Sequence, residues 1–136
     1  MSQARPQAWW RQARNDLDLA VLASGHGYQA QACFFAAQAA EKALKGAIVE
    51  LGHEPPHTHV LERLLAVLIA LGVNREPLAA LPLRALTRMT VTSLYPLDDT
   101  PPLDLFDPAD ARSAIATAEA VLQWVEQLDQ PLGDQP

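Results

Sequence analysis

The sequence predicts an all-α fold, an up-and-down bundle of four to five helices in which the second helix is central. Alanine and leucine supply 24 and 21 of the 136 residues, and both rank high among helix formers. Apolar residues recur at three- and four-residue spacing along most of the chain, which is the pattern of amphipathic helices. Glycine and proline separate these stretches by short connections, so consecutive helices are expected to be antiparallel neighbours.

The first two predicted helices cover residues 7–24 and 28–51, and the second ends at Gly52, ahead of a Pro-Pro pair. Apolar positions of the second helix cover an arc much wider than a single stripe, and most of them are small alanines. A helix of this kind packs against neighbours on several sides, so we place it at the centre of the bundle. The residues expected to be buried on it are Ala36, Ala40, Leu44, Ala47 and Ile48.

The third predicted helix begins near Thr58, a candidate N-cap, and ends at Gly72. The fourth has Pro82 in its first turn and runs to the Tyr-Pro stop at Pro96. An acidic, proline-bearing loop follows it. Asp107, with a proline directly after it, marks the start of a fifth helix with a regular apolar stripe.

Length and composition indicate a single domain spanning residues 1–136, with a core of about residues 7–129. Cys33 is the one cysteine, which excludes an internal disulfide framework and the usual multi-cysteine zinc sites. The sequence has no secretory h-region and no apolar run of membrane-spanning length. We therefore expect a cytoplasmic protein that is neither secreted nor membrane-inserted.

The net charge of −6 is concentrated near the C-terminus, because residues 97–136 carry one Lys/Arg and nine Asp/Glu. Non-specific nucleic-acid binding depends on clustered Lys and Arg that neutralise phosphates. An acidic chain of this kind is not expected to bind nucleic acid strongly without regard to sequence.

Three charges, Glu41, Lys42 and Lys45, lie among small and apolar residues in the stretch QAAEKALKGAIVE of the second helix. Glu41 and Lys45 have the i,i+4 spacing of an ordinary surface ion pair, so one interpretation is a solvated face. The other is a small anion site formed by the two lysines. Composition alone leaves both interpretations open.

An ordered set of motifs along residues 7–128 resembles HEPN domains. The motifs are the Trp9-Trp10 and Asp16-Leu17 pairs, Tyr28 with Phe34-Phe35, the run QAAEKALK at residues 38–45, and Thr58-His59. The resemblance implies a four-to-five-helix bundle that is commonly a homodimer. It also implies possible nucleotide binding and a minimal nucleotidyltransferase as partner, in a toxin–antitoxin-like pair.

The sequence lacks the catalytic motif of the ribonucleases in the family that it resembles. Those ribonucleases use an arginine followed four to six residues later by a histidine. Its four histidines, at positions 26, 53, 57 and 59, have no arginine within the seven residues before them. We therefore predict no catalytic residues and no RNA cleavage. A second family element, Arg-Tyr-Pro-Asp, is represented here by Leu94, Tyr95, Pro96 and a nearby acid, and Arg88 lies seven residues before Tyr95.

These observations favour a non-catalytic HEPN-type module that needs no cofactor or metal. Its predicted ligand- or partner-binding residues are Glu41, Lys42, Lys45, Arg88 and Tyr95, which we expect to share a groove. Loss of either lysine should weaken an anionic ligand by roughly 1 kcal/mol and change folding stability little. The alternatives are a HEPN ribonuclease toxin with a degenerate active site and a purely structural dimerisation bundle.

Overall fold

The computed structural model describes residues 4–128, and these residues form an all-α bundle, as predicted. Five helices have ten residues or more: α1 (Pro6–Gly25), α2 (Gln29–Glu50), α3 (Leu61–Ala70), α5 (Leu83–Thr92) and α7 (Pro108–Leu128). Two single turns, α4 (Glu76–Ala79) and α6 (Pro102–Leu105), interrupt the connections. No strand forms within residues 4–128, and none of the helices described there is long and apolar enough to cross a membrane.

Helix α2 is the centre of the bundle, because α1, α3, α5 and α7 all pack against it. The five residues predicted to be buried on α2 have no exposed surface, which confirms that prediction. Ten of its residues are alanine, glycine or cysteine, and such small side chains let neighbouring helices approach closely. The same packing leaves α2 without a broad face open to solvent.

Two predicted helix boundaries are wrong by a few residues. Helix α3 begins at Leu61, and Thr58 is not its N-cap; the Thr58 hydroxyl instead accepts a hydrogen bond from the Val60 backbone N–H at 3.1 Å. The Leu61 backbone N–H, which a helix leaves without an internal partner, donates to the Thr87 hydroxyl of α5 at 3.0 Å. A side chain from another helix therefore fixes where α3 starts.

Helix α5 ends at Thr92, three residues before Tyr95, and not at the Tyr-Pro pair. The chain then makes a tight turn in which the backbones of Leu97 and Thr100 exchange hydrogen bonds of 2.9 and 3.0 Å. Asp98 occupies this turn with a φ of 54°, a conformation that aspartate tolerates better than most residues. Tyr95 therefore belongs to a loop and not to a helix.

Helix α7 begins as predicted, directly after Asp107. The Asp107 carboxylate accepts a hydrogen bond from the Asp110 N–H at 2.8 Å, and the Asp107 N–H donates to the Asp110 carboxylate at 2.9 Å. This reciprocal pair is a capping box with aspartate in the third position. The predicted end of the core at residue 129 lies outside the described residues.

Candidate functional site

Glu41 is the centre of a buried charged cluster on α2. One carboxylate oxygen accepts a hydrogen bond from Lys45 Nζ at 3.1 Å, and the other lies 2.8 Å from His59 Nδ1. Glu41 and Lys45 are 6% and 9% exposed, whereas the His59 side chain is mostly exposed. The cluster therefore ties the segment before α3 to the middle of α2.

Lys42, one residue further along α2, forms a second ion pair on another side of the helix. Its Nζ lies 2.5 Å from the Asp16 carboxylate of α1, whose other oxygen accepts a hydrogen bond from Gln12 Nε2 at 3.0 Å. The Asp16 side chain is 6% exposed and that of Lys42 is 27% exposed. This pair joins α1 to α2 and leaves part of the Lys42 side chain in contact with solvent.

The interpretation of Glu41 and Lys45 as a solvated face is wrong, because both residues are buried in the bundle. Their burial also changes the expectation that loss of Lys45 would barely affect folding. Removing one member of a buried ion pair leaves the other charge uncompensated, which commonly costs several kcal/mol. Lys45 is therefore a contributor to stability before any ligand is considered.

Gly46 lies beneath the two tryptophans of α1. A Cβ atom at this position would come within 2.6 Å of Trp10 Nε1 and 2.8 Å of Trp9 Cβ. The Trp10 indole N–H donates to the Ala43 carbonyl at 3.2 Å. The glycine is thus required by the close approach of α1 to α2, and the Trp10 indole and the Trp9 Cβ lie against the stretch that carries Glu41, Lys42 and Lys45.

Lys45 borders a small cleft of about 160 Å³ between α1 and the segment that follows α2. The remaining residues of its lining are Trp9, Glu54, Pro55, Pro56 and His57. Arg88 and Tyr95 do not line this cleft. The groove expected to join them to Glu41, Lys42 and Lys45 stays a prediction.

Arg88 and Tyr95 are both exposed, and the Tyr95 residue is 64% exposed. Within residues 4–128, Arg88 forms no ion pair. Because α5 ends at Thr92, helical periodicity does not place the two side chains on one face. Among residues 4–128 they are instead a cation without an ion pair on a helix and an aromatic ring in the adjoining loop.

Sequence reasoning did not select Asp16 and His59 as members of the charged set. Asp16 stands at a core position of α1, between Ala13, Leu17 and Ala20 at helical spacing. A carboxylate in such a stripe requires a buried partner, and this signal was available in the sequence. His59 carried no comparable signal, because its contact with Glu41 spans 18 residues of chain.

No group of three or more His, Cys, Asp and Glu side chains within residues 4–128 is arranged to hold a metal ion. Cys33 has no exposed surface, and burial raises the pKa of its thiol to about 12, with smaller contributions from Asp110 and Asp107. A thiol in this state is almost entirely protonated at neutral pH and is a poor nucleophile.

Comparisons with known proteins agree with the all-α bundle and with the family resemblance found in the sequence. The HEPN domain family matches residues 6–128, and the chain belongs to this family. Among solved structures, it is similar to TT1696 from Thermus thermophilus, with 31% identity over 92% of this chain and 98% of that one, and a TM-score of 0.81. It is also similar to ST0689, an archaeal HEPN homologue, with 27% identity over 94% of this chain and 100% of that one, and a TM-score of 0.72. No curated protein matches the chain.

Proposed function

We propose that this HEPN domain is a non-catalytic, homodimeric module whose partner is a minimal nucleotidyltransferase, in a toxin–antitoxin-like pair. The observation that carries the proposal is an exposed, mainly apolar surface where α1 turns into α2. Leu22 and Tyr28 are 58% and 60% exposed there, and they line an apolar cleft of about 340 Å³ with Leu19 and Phe35. A contiguous apolar surface of this kind on a soluble domain is typical of a protein-binding site.

Co-purification tests the partner protein. If a minimal nucleotidyltransferase is encoded beside this gene, it should be retained by the tagged parent protein and lost with Leu22→Glu, because the new carboxylate would be buried unpaired at the contact. Leu51→Glu is the matched control. Leu51 is also an exposed leucine, 38% accessible, but it lies beyond the end of α2 and does not line the cleft. Equal retention by both variants would contradict the proposed surface.

We assign nucleotide binding to Arg88 and Tyr95. An arginine without an ion pair can bind a phosphate in a bidentate manner, and an exposed aromatic ring offers a stacking surface for a base. Lys42 is the predicted α2 cation with the more exposed side chain, 27% against 11% for Lys45. Glu41 and Lys45 support the site by holding the bundle together.

Isothermal titration with ATP and GTP tests this assignment. Arg88→Ala and Tyr95→Ala should each weaken binding by about tenfold, whereas Arg63→Ala should not, because Arg63 is an exposed arginine of α3. The parent protein should also leave RNA uncleaved. RNA cleavage that is lost in Arg88→Ala would instead favour a ribonuclease with a modified site.

A further inference from the structure

A third cleft, of about 450 Å³, lies between α3, the α4 turn and the start of α5. We call it the Arg75–Arg84 cleft; its apolar lining includes Leu65, Ile69 and Leu78. Arg75 forms no ion pair within residues 4–128, and the contact of Arg84 with Glu62 is 3.8 Å long, with the arginine side chain 77% exposed. Glu62 lines the cleft as well, so the cleft presents two cations and one carboxylate, a net positive charge, beside an apolar surface.

The loop after α5 carries the opposite charge and also exposes apolar side chains. We call residues 97–105 the acidic leucine loop; Leu97 and Leu103 are 60% and 74% exposed. Asp98, Asp99 and Asp104 are exposed as well, and they form no ion pair with the rest of the described chain. The Leu97–Thr100 hydrogen bonds and the single turn of α6 give this loop a defined shape.

The loop and the cleft of one molecule lie at opposite ends of α5. A helix of ten residues is roughly 15 Å long at 1.5 Å per residue, and no residue of the loop lines the cleft. The aspartate and leucine side chains of the loop therefore do not contact the cleft of their own molecule. They are available to the cleft of another copy.

We infer that the Arg75–Arg84 cleft binds the acidic leucine loop of a second copy of this chain. If two α5 helices run antiparallel about a two-fold axis, the start of each lies beside the end of the other. Each cleft then receives the loop of the other copy, which gives a closed, reciprocal dimer. The inference rests on the homodimer proposed above and goes further by naming the two surfaces.

The leucines and the charged residues of this contact have different physical roles. The leucines lose exposed apolar surface in the cleft, which favours association. The aspartates and arginines select the orientation, since a like-charge contact at the same place would be strongly unfavourable. Because these charges lie at the rim, salt should weaken the dimer.

The test is sedimentation analysis of two charge-reversed variants. The cleft variant is Arg75→Glu/Arg84→Glu, and the loop variant is Asp99→Lys/Asp104→Lys, with Asp98 kept because its positive φ tolerates few residues. Each variant alone should dimerise at least about tenfold more weakly than the parent, because both contacts become like-charged. An equimolar mixture should regain parent-like affinity, since both contacts of the mixed dimer again pair opposite charges.

Two controls separate this result from misfolding. Arg75→Gln/Arg84→Gln removes charge without reversing it and should weaken the dimer less than the glutamate variant. Arg63→Glu changes an exposed α3 arginine outside the cleft lining and should leave the dimer unchanged. Circular dichroism melts of all variants check that each is folded.

The alternative outcomes are distinguishable. A parent protein that stays monomeric would overturn both the homodimer and this interface, while the nucleotidyltransferase contact would still be decided by co-purification. A dimer that ignores the reversals, or a mixture without recovery, would overturn the cleft–loop pairing alone. Loss of nucleotidyltransferase retention in the cleft variant, with the dimer intact, would assign the cleft to the partner protein instead.

Discussion

Glu41→Gln is expected to destabilise the fold strongly, because it removes the negative charge from the buried cluster and keeps the shape of the side chain. Lys45 would remain 9% exposed with its ammonium group next to a neutral amide. Glutamine can still accept a hydrogen bond, so the loss is smaller than complete removal of a buried partner. We expect a cost of about 2–3 kcal/mol.

A loss of this size is large for a single domain, whose total stability is usually about 5–15 kcal/mol. In a chain of 136 residues, it corresponds to a decrease in Tm of roughly 6–15 °C. Urea unfolding followed by circular dichroism gives the free energy, and the m-value should stay unchanged because the same surface is exposed on unfolding.

The matched control is Glu119→Gln. Glu119 also accepts a hydrogen bond from a cation, Arg14, at 3.0 Å, but both side chains are 38% exposed. Exposed pairs contribute about 0–1 kcal/mol, so this variant should unfold close to the parent. Equal effects of the two substitutions would refute the argument that burial makes the Glu41 cluster important.

A double-mutant cycle isolates the pair from other consequences of mutation. Glu41→Leu/Lys45→Met replaces both charges with apolar side chains, and such replacements of buried ion pairs are often close to neutral. The loss of unfolding free energy in the double variant should therefore be smaller than the sum of the losses in Glu41→Leu alone and Lys45→Met alone. Additive effects would mean that the two charges do not stabilise each other.

Three further predictions concern other parts of the bundle. Gly46→Ala should lower stability by about 1–2 kcal/mol, because the close contact with the Trp10 indole and the Trp9 Cβ outweighs the gain in helix propensity, whereas Gly25→Ala, with nothing within 4 Å of its Cβ, should not. Cys33, with its thiol pKa raised to about 12 by burial, should react with Ellman's reagent at pH 8 only after unfolding. A hydrogen bond from the Asp110 backbone N–H lowers the pKa of Asp107 below 3.8, so the contribution of the Asp107 charge is complete above pH 3.8 and is lost as the pH falls through the lowered value. The Tm difference between the parent and Asp107→Ala should therefore be largest above that pH and become smaller in stronger acid.

Periodicity predicted the existence of all the long helices, because burial of one face dictates the spacing of apolar residues. The wide apolar arc of α2 likewise predicted its central position. The exact ends of the helices were harder to predict from the sequence. Thr58 has the composition of an N-cap, but the N–H at the start of α3 finds its partner in Thr87, 26 residues away, and no local pattern contains that information.

Local sequence patterns were also insufficient to predict the environment of the charged residues. Glu41 and Lys45 look like a surface pair when only their i,i+4 spacing is considered. Their burial follows from the other prediction made for the same helix, since a helix packed on several sides has little room for a solvated face. The partners Asp16 and His59 lie 26 and 18 residues from Lys42 and Glu41, so the pairs themselves depend on tertiary structure.

The arrangement of these pairs also indicates where the bundle can hold ligands and partners by charge. Each cation of α2 already has a carboxylate within 3.1 Å, so a bound anion would have to compete with an existing buried or half-buried partner. Arg75 and Arg88 have no such partner within residues 4–128, and their charges act outward without that competition. The charges of α2 therefore hold α1 and the segment before α3 against the central helix, which is why we propose Arg75 and Arg88, and not the lysines of α2, for recognition by charge.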